Sequence, residues 1–261
     1  MKIARNTFTH AIAAGEKQIG IWVTLADGHA AEVVAHAGFD WAVVDMEHTP
    51  GDYQNVLSQL QAFSGTATTA LVRPEWNDTV AIKRILDLGA EGLVIPMIQS
   101  VQEAQKAVAA TRYPPHGVRG VSGATRATKF GRVTDYVQNV SRETTVILQL
   151  ETAQAISQAA EIGAVVGVSG IFFGPADIAA DIGHLGNTMH PDVWALIRPA
   201  AQKLIAMGVP VGTLVLDPDF AAELLNEGFT FVAGGIDAAL LARASDTMIA
   251  KVKANLKAPV K

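Results

Sequence analysis

Short blocks of Val, Ile, Leu and Ala alternate along the chain with longer amphipathic stretches. The apolar blocks are Gly20–Leu25, Trp41–Glu47, Thr69–Arg73, Gly92–Met97, Thr144–Leu150, Gly170–Gly174, Val211–Val215 and Phe229–Gly234. Several are unbroken apolar runs without polar alternation, the pattern of strands covered on both faces. Between them, Asp52–Phe63, Asp78–Leu88, Val101–Thr111 and Pro191–Met207 repeat their apolar residues at helical spacing. Asp78 and Ser100 stand where helix N-caps belong, and Gly89, Gly208 and Gly228 where helices stop. Eight β–α alternations predict an α/β fold, one (β/α)8 TIM barrel over residues 1–261. The competing open doubly wound sheet wants a glycine-rich phosphate turn after an early strand. The first strand here is followed by Ala26–His29, which lacks that pattern.

One segment breaks the rhythm. Arg112–Arg142 is long for a strand-to-helix connection, and a long loop at the catalytic face of a barrel is expected to be functional. The basic tail Lys251–Lys261 is expected to fray.

Composition narrows the class. The 261 residues are 49% hydrophobic and 17% charged, enough for one substantial core. A net charge of −5 argues against a nucleic-acid partner, because phosphate binding needs a basic surface. No cysteine is present, which excludes disulfides and thiolate metal sites. No apolar stretch approaches the roughly 20 residues that span a bilayer. A soluble cytoplasmic protein without membrane partners is expected.

Chemistry concentrates at the predicted strand tips, which all open onto one face in a parallel barrel. Glu151 ends one apolar run and Asp177 follows another. Two carboxylates, with water and a chelating substrate, suit a hard divalent cation such as Mg2+, Mn2+ or Co2+. The plainer alternative makes one a helix N-cap and the other a rim ion-pair partner. His48 sits at a third tip behind Asp45 and Glu47 and is a candidate general base, with a metal ligand or a structural histidine as alternatives. Asp45 is the carboxylate expected to orient it. Arg73 ends another strand and suits a substrate carboxylate, a developing oxyanion or a rim ion pair. Gly174, Pro175 and Ala176 form a turn whose free N–H groups suit an anion, and Gln149 shares a strand face with Glu151. Trp22, Val118 and Leu216 are candidates to line the site, and Arg119 is a spare cation for an acidic acceptor. No lysine ends a predicted strand, which argues against Schiff-base chemistry.

The stretches Ala37–Trp41, Val44–His48, Val72–Asp78, Ile95–Met97, Ala110–Gly120, Gln149–Thr152, Phe173–Asp177 and Leu240–Arg243 together resemble the HpcH/HpaI family of class II pyruvate aldolases. The resemblance runs from about residue 20 to residue 250 of the chain. It implies reversible cleavage of 4-hydroxy-2-oxo acids to an aldehyde and pyruvate, or hydroxypyruvate, through an enolate. It implies a divalent metal at Glu151 and Asp177, His48 as base and Arg73 as transition-state stabiliser. It places the substrate on Gln149 and the Ala176 backbone. It further implies that Asp87 raises the basicity of His48, whereas the residues alone make Asp87 an ordinary acid at a helix end. A last helix exchanged between subunits of a hexamer, a dimer of trimers, is also implied. Related metal-dependent lyases of the citrate-lyase β or malyl-CoA type are the alternative, as is a non-catalytic metabolite-binding barrel.

Overall fold

The computed structural model describes residues 1–256. Eight strands form a closed barrel in chain order: β1 (Gln18–Val23), β2 (Trp41–Asp45), β3 (Thr69–Arg73), β4 (Gly92–Ile95), β5 (Thr145–Leu150), β6 (Gly170–Phe173), β7 (Val211–Leu214) and β8 (Phe231–Ile236). All neighbours pair in parallel, and β8 closes on β1. This is a TIM barrel. The expected strands are all present, with ends displaced by no more than two residues. The helices Tyr53–Phe63, Thr79–Asp87, Val101–Thr111 and Pro191–Ala206 also stand where helical spacing put them. Asp78 and Ser100 cap their helices, accepting backbone N–H bonds from Ala81 and Glu103. Gly228 closes its helix in the left-handed region at φ 110°.

Successive strand residues point alternately inward and outward. The outward set, including Val44, Val72, Leu148 and Phe173, packs under the helices. The inward set is Trp22, Trp41, Val43, Leu71, Val94, Ile147, Phe172, Phe231 and Ala233. Aromatic rings therefore fill the barrel interior, and small residues opposite them make the room. A Cβ on Gly20 would lie 2.2 Å from the Trp41 ring, so only glycine fits there.

The helix Thr7–Ala13 has no counterpart among the expected elements. It plugs the N-terminal end of the barrel with Phe8 and Ile12, both buried among the inward residues. Asn6 ties it there. Its side-chain N–H donates to the Glu91 and Glu143 carbonyls at 2.9 Å each, and its Oδ1 caps the helix by accepting from Thr9.

Two expectations are corrected. Arg112–Arg142 joins the helix Val101–Thr111 to the helix Tyr136–Glu143 ahead of β5, so it is a helix-to-strand connection. It lies at the N-terminal end of the barrel, as the bonds Thr134 N–H to Met1 O and Ala127 N–H to Asp87 O confirm. Of the tail, Lys251–Asn255 continues the final helix Asp237–Asn255, and residues 257–261 lie outside the described residues. Among the described residues no helix is long and apolar enough to cross a membrane.

Asn6→Ala removes a helix cap, worth about 1 kcal/mol, and takes from the partly buried Glu143 carbonyl its side-chain donor, at about 1–3 kcal/mol. We expect destabilisation of about 2–4 kcal/mol from these terms together, read by denaturant unfolding, with the activity of the folded fraction retained.

Candidate active site at the barrel mouth

The inward alternation continues past the packed rings to the C-terminal ends of the strands. Val43 is followed by Asp45, Leu71 by Arg73, Ile147 by Gln149 and then Glu151, and Phe172 by Gly174. Asp45 and Arg73 are direct register partners on β2 and β3. Adjacency on one face makes them meet. Arg73 Nε and Nη2 each donate to an Asp45 oxygen at 2.7 Å, a bidentate pair. Arg73 Nη1 lies 2.9 Å from Glu47 Oε2, and the guanidinium sits 5.0 Å from the centre of the Trp22 ring. Burial works against the charge of Arg73. The hydrogen bond and charge of Asp45, followed by the charges of Glu47 and Glu151, outweigh burial and hold its pKa above the ordinary arginine value.

Glu151 is 1% exposed. Its Oε1 accepts from Gln149 Nε2 at 2.5 Å, and its Oε2 from the Met97 N–H at 2.8 Å. Gly174, on the neighbouring strand end, is a cradle for this carboxylate, because a Cβ there would fall 2.8 Å from Glu151 Cγ. Burial pushes the Glu151 carboxyl up to about 8, the Met97 hydrogen bond opposes this, and the charges of Asp177 and Glu47 add to the rise. Glu47 is raised too, first by burial and against the pull of Arg73. Asp177 stands in the first turn of the helix Pro175–Asp181, whose N-cap is Gly174 rather than an aspartate.

These residues fit a hard divalent cation. The donor set is all oxygen, and Glu151 receives only neutral hydrogen-bond donors. Gln149 Oε1 is buried without a partner. The nearby guanidinium is already shared between two other carboxylates. Glu151 and Asp177 would hold the ion.

A second group, His184, His190 and Asp192, spans the loop before and the first turn of the helix Pro191–Ala206. Its imidazoles stack at 3.4 Å and 14°, and His184 Nε2 and His190 Nδ1 both face Asp192 Oδ2, at 2.9 and 3.6 Å. His190 Nδ1 is also occupied as a helix cap, accepting the Asp192 N–H at 3.2 Å.

The other expected residues fall into two groups. His48 stands at the mouth with its side chain 67% exposed, and its nearest ion-pair partner is Glu47, at 3.9 Å. Asp45, expected to orient His48, instead spends both oxygens on Arg73, because register made those two neighbours. Trp22 is buried under Arg73, and Leu216 borders a cavity of about 470 Å³ beside Pro175 and Ala176. Asp87, Val118 and Arg119 are at the other end of the barrel. Arg119 is fully buried, donates to Asp87 at 2.7 Å and packs against Tyr113, so it is no spare cation for this mouth. Asp87 ends a helix that runs away from the mouth, so it cannot reach His48 within one chain. Glu47 was passed over as a site residue; its signal was the same alternation, Val43, Asp45, Glu47.

Comparison with known proteins gives a consistent picture. Residues 18–244 match the family model described as HpcH/HpaI aldolase/citrate lyase. A pyruvate aldolase of Rhizobium etli is 48% identical over 251 residues, 96% of this chain and 99% of its own length. A 4-hydroxy-2-oxo-heptane-1,7-dioate aldolase of Shigella sonnei is 44% identical over 254 residues, 97% of each chain. The crystal structure of a HpcH/HpaI aldolase/citrate lyase family protein from Burkholderia cenocepacia superposes with a TM-score of 0.92 at 36% identity. It covers 95% of this chain and 99% of that one.

The raised Glu151 carboxyl sets a pH test. A carboxyl with a higher pKa folded than unfolded keeps its proton in the folded state, so its stabilisation is full below the ordinary value of 4.5 and is lost as pH rises toward about 8. Metal-free protein should therefore melt at progressively lower temperature from about pH 5 to about pH 8. Mn2+ should raise the melting temperature most at the upper end, where less proton must be displaced. Glu151→Gln should flatten both trends in thermal melts with and without chelator.

Proposed function

The chain belongs to the HpcH/HpaI aldolase/citrate lyase family, and from that premise we propose that it is a metal-dependent class II aldolase cleaving 4-hydroxy-2-oxo acids to pyruvate and an aldehyde. The observation that carries the proposal is the convergence of Glu151, Gln149, Arg73 and Glu47 on one barrel mouth, with Asp177 and His48 at its rim. Enzymes of this family depend on a divalent metal in general. We assign Mg2+, Mn2+ or Co2+ to Glu151 and Asp177, which would hold the ion, and the ion would supply Lewis-acid stabilisation of the enolate's negative charge.

The chain's own residues do the rest. The Gln149 amide and the Ala176 backbone N–H hold the 2-oxo acid. His48 takes the proton of the 4-hydroxyl. The C3–C4 bond breaks, the oxygen left on C4 becomes the aldehyde carbonyl, and the bonding electrons pass into the pyruvate enolate. Arg73, its charge secured by Asp45 and Glu47, sets a positive group beside the oxygen that gains charge. Protonation at C3 completes pyruvate. Among the described residues no lysine lies in a barrel strand or ends one, which supports this electron sink over a Schiff base.

We also propose that the whole chain works as one catalytic unit in the cytoplasm, assembled as a hexamer. The final helix Asp237–Asn255 buries only Asp237 and leaves Leu241, Met248 and Val252 exposed on one side, an apolar stripe suited to a neighbouring barrel. In such an assembly Asp87 of one subunit could approach His48 of another. A double substitution Leu241→Glu and Val252→Glu should lower the particle mass in light scattering from six chains to smaller species.

The catalytic test is exchange of the pyruvate methyl protons in D2O, followed by NMR. Chelator-treated protein should be inert. Added Mn2+ should restore loss of the methyl signal, and Glu151→Ala or Asp177→Ala should abolish it. Exchange that survives chelation would overturn the metal assignment.

A further inference from the structure

We propose that His184, His190 and Asp192 form a second metal site, one for Zn2+ or a similar borderline divalent cation, apart from the carboxylates at the barrel mouth. The three lie between and at the edges of the helices Pro175–Asp181 and Pro191–Ala206. The chain there is tightly folded. Gly183 and Gly186 take left-handed φ values of 87° and 81°, which glycine adopts without strain. The His184 N–H donates to Ala179 O at 2.6 Å, the Asn187 N–H to His184 O at 2.9 Å and the His190 N–H to Asn187 O at 3.1 Å. Successive turns thus fold the chain back on itself and stack the His190 ring on the His184 ring. Together with Asp192 they bring their ligand atoms within 4.8 Å of one another.

The dimensions suit such an ion. Ligand atoms held at about 2.0–2.1 Å around a tetrahedral Zn2+ stand about 3.3 Å apart. Asp192 Oδ2 lies 2.9 Å from His184 Nε2 and 3.6 Å from His190 Nδ1, on either side of that figure. The histidine side chains are 28% and 30% exposed and that of Asp192 65%, so the rings have room to turn and water can take a fourth position. His190 Nδ1 accepts the Asp192 N–H, so this nitrogen carries no proton of its own. At 3.2 Å that cap bond is long, and it is the contact the ion would replace. The ion would likewise take the place of the hydrogen between His184 Nε2 and Asp192 Oδ2. Asp192 stands in the first turn of its helix and offsets the positive helix end that would otherwise oppose a cation. Imidazole nitrogen favours Zn2+, Ni2+ or Cu2+ over the Mg2+ or Mn2+ that the all-oxygen mouth suits.

The ion would tie the end of one helix to the start of the next. Thr188 and Met189 lie between the ligands and wall the cavity beside Pro175 and Ala176. Trp194 Nε1 already holds this stretch by donating to Thr188 O at 3.0 Å. Bound Zn2+ would therefore stiffen one wall of that cavity without entering it.

The test uses full-length protein free of any affinity tag and carrying Glu151→Gln and Asp177→Asn, so that the mouth does not compete for the ion. Folding is checked by circular dichroism. Titration with Zn2+ alone should show about one bound ion per chain, and X-ray absorption should show imidazole nitrogen bound to it. His184→Ala should weaken binding by at least about 100-fold, more than losing a group that merely supports a ligand costs. His190→Asn, which keeps a good helix cap, should do the same. Asp192→Asn should weaken it by at least about 10-fold. In protein with the mouth carboxylates restored, Zn2+ should slow hydrogen–deuterium exchange across residues 183–192, and His184→Ala should remove the slowing. An ion count near zero, a bound ion without imidazole, or affinity unchanged in both histidine variants would overturn the proposal. So would exchange in this stretch that Zn2+ leaves unaltered.

Discussion

In a closed barrel of parallel strands, neighbours in register must present their inward side chains to one another. Lower down, that constraint packs Trp41 against the space left by Gly20. At the mouth it forces Asp45 onto Arg73 and seats Glu151 over Gly174. The same rule builds the core and the site, and they differ only in which residue types occupy the inward positions. Asp45, Arg73 and Gln149 stand on barrel strands, and Glu151 directly follows one.

Charge at the mouth is unbalanced by design of the side-chain set. Asp45, Glu47, Glu151 and Asp177 crowd one buried guanidinium, and a carboxylate as deep as Glu151 resists ionisation until a cation arrives. Such a cluster costs stability in the metal-free protein, and its unsatisfied negative charge is the property on which the proposed cation site rests. Asp45 belongs to the fixed part of this arrangement, held on Arg73 by two hydrogen bonds, and His48 is largely exposed at its edge.

The two ends of the barrel divide the labour. The N-terminal end is closed by the plug helix, Asn6 and the long Arg112–Arg142 connection, where Arg119 is buried against Tyr113 and bound to Asp87. The final helix leaves the barrel with its apolar residues uncovered. That uncovered stripe is the feature on which the proposed assembly rests.

The alternation of apolar blocks and amphipathic stretches was enough to read the barrel, its strand order and the ends of the four helices it marked. This is because backbone hydrogen bonding and burial act over a few residues, and period two or 3.6 is written locally. The acids Glu151 and Asp177 and the cation Arg73 were legible for the same reason, each lying at a strand tip or just past one. The plug helix went unread because its apolar residues, Phe8 and Ile12, are few and its anchor, Asn6, works through carbonyls that are distant in sequence. The partners of each charge went unread as well. Asp45 faces Arg73 rather than His48 because of register between strands, and Arg119 faces Asp87 because a long connection folds back under the barrel. Which groups exist and on which element each sits is written in the local pattern; which of them meet is not, because pairing depends on the register and closure of the whole sheet.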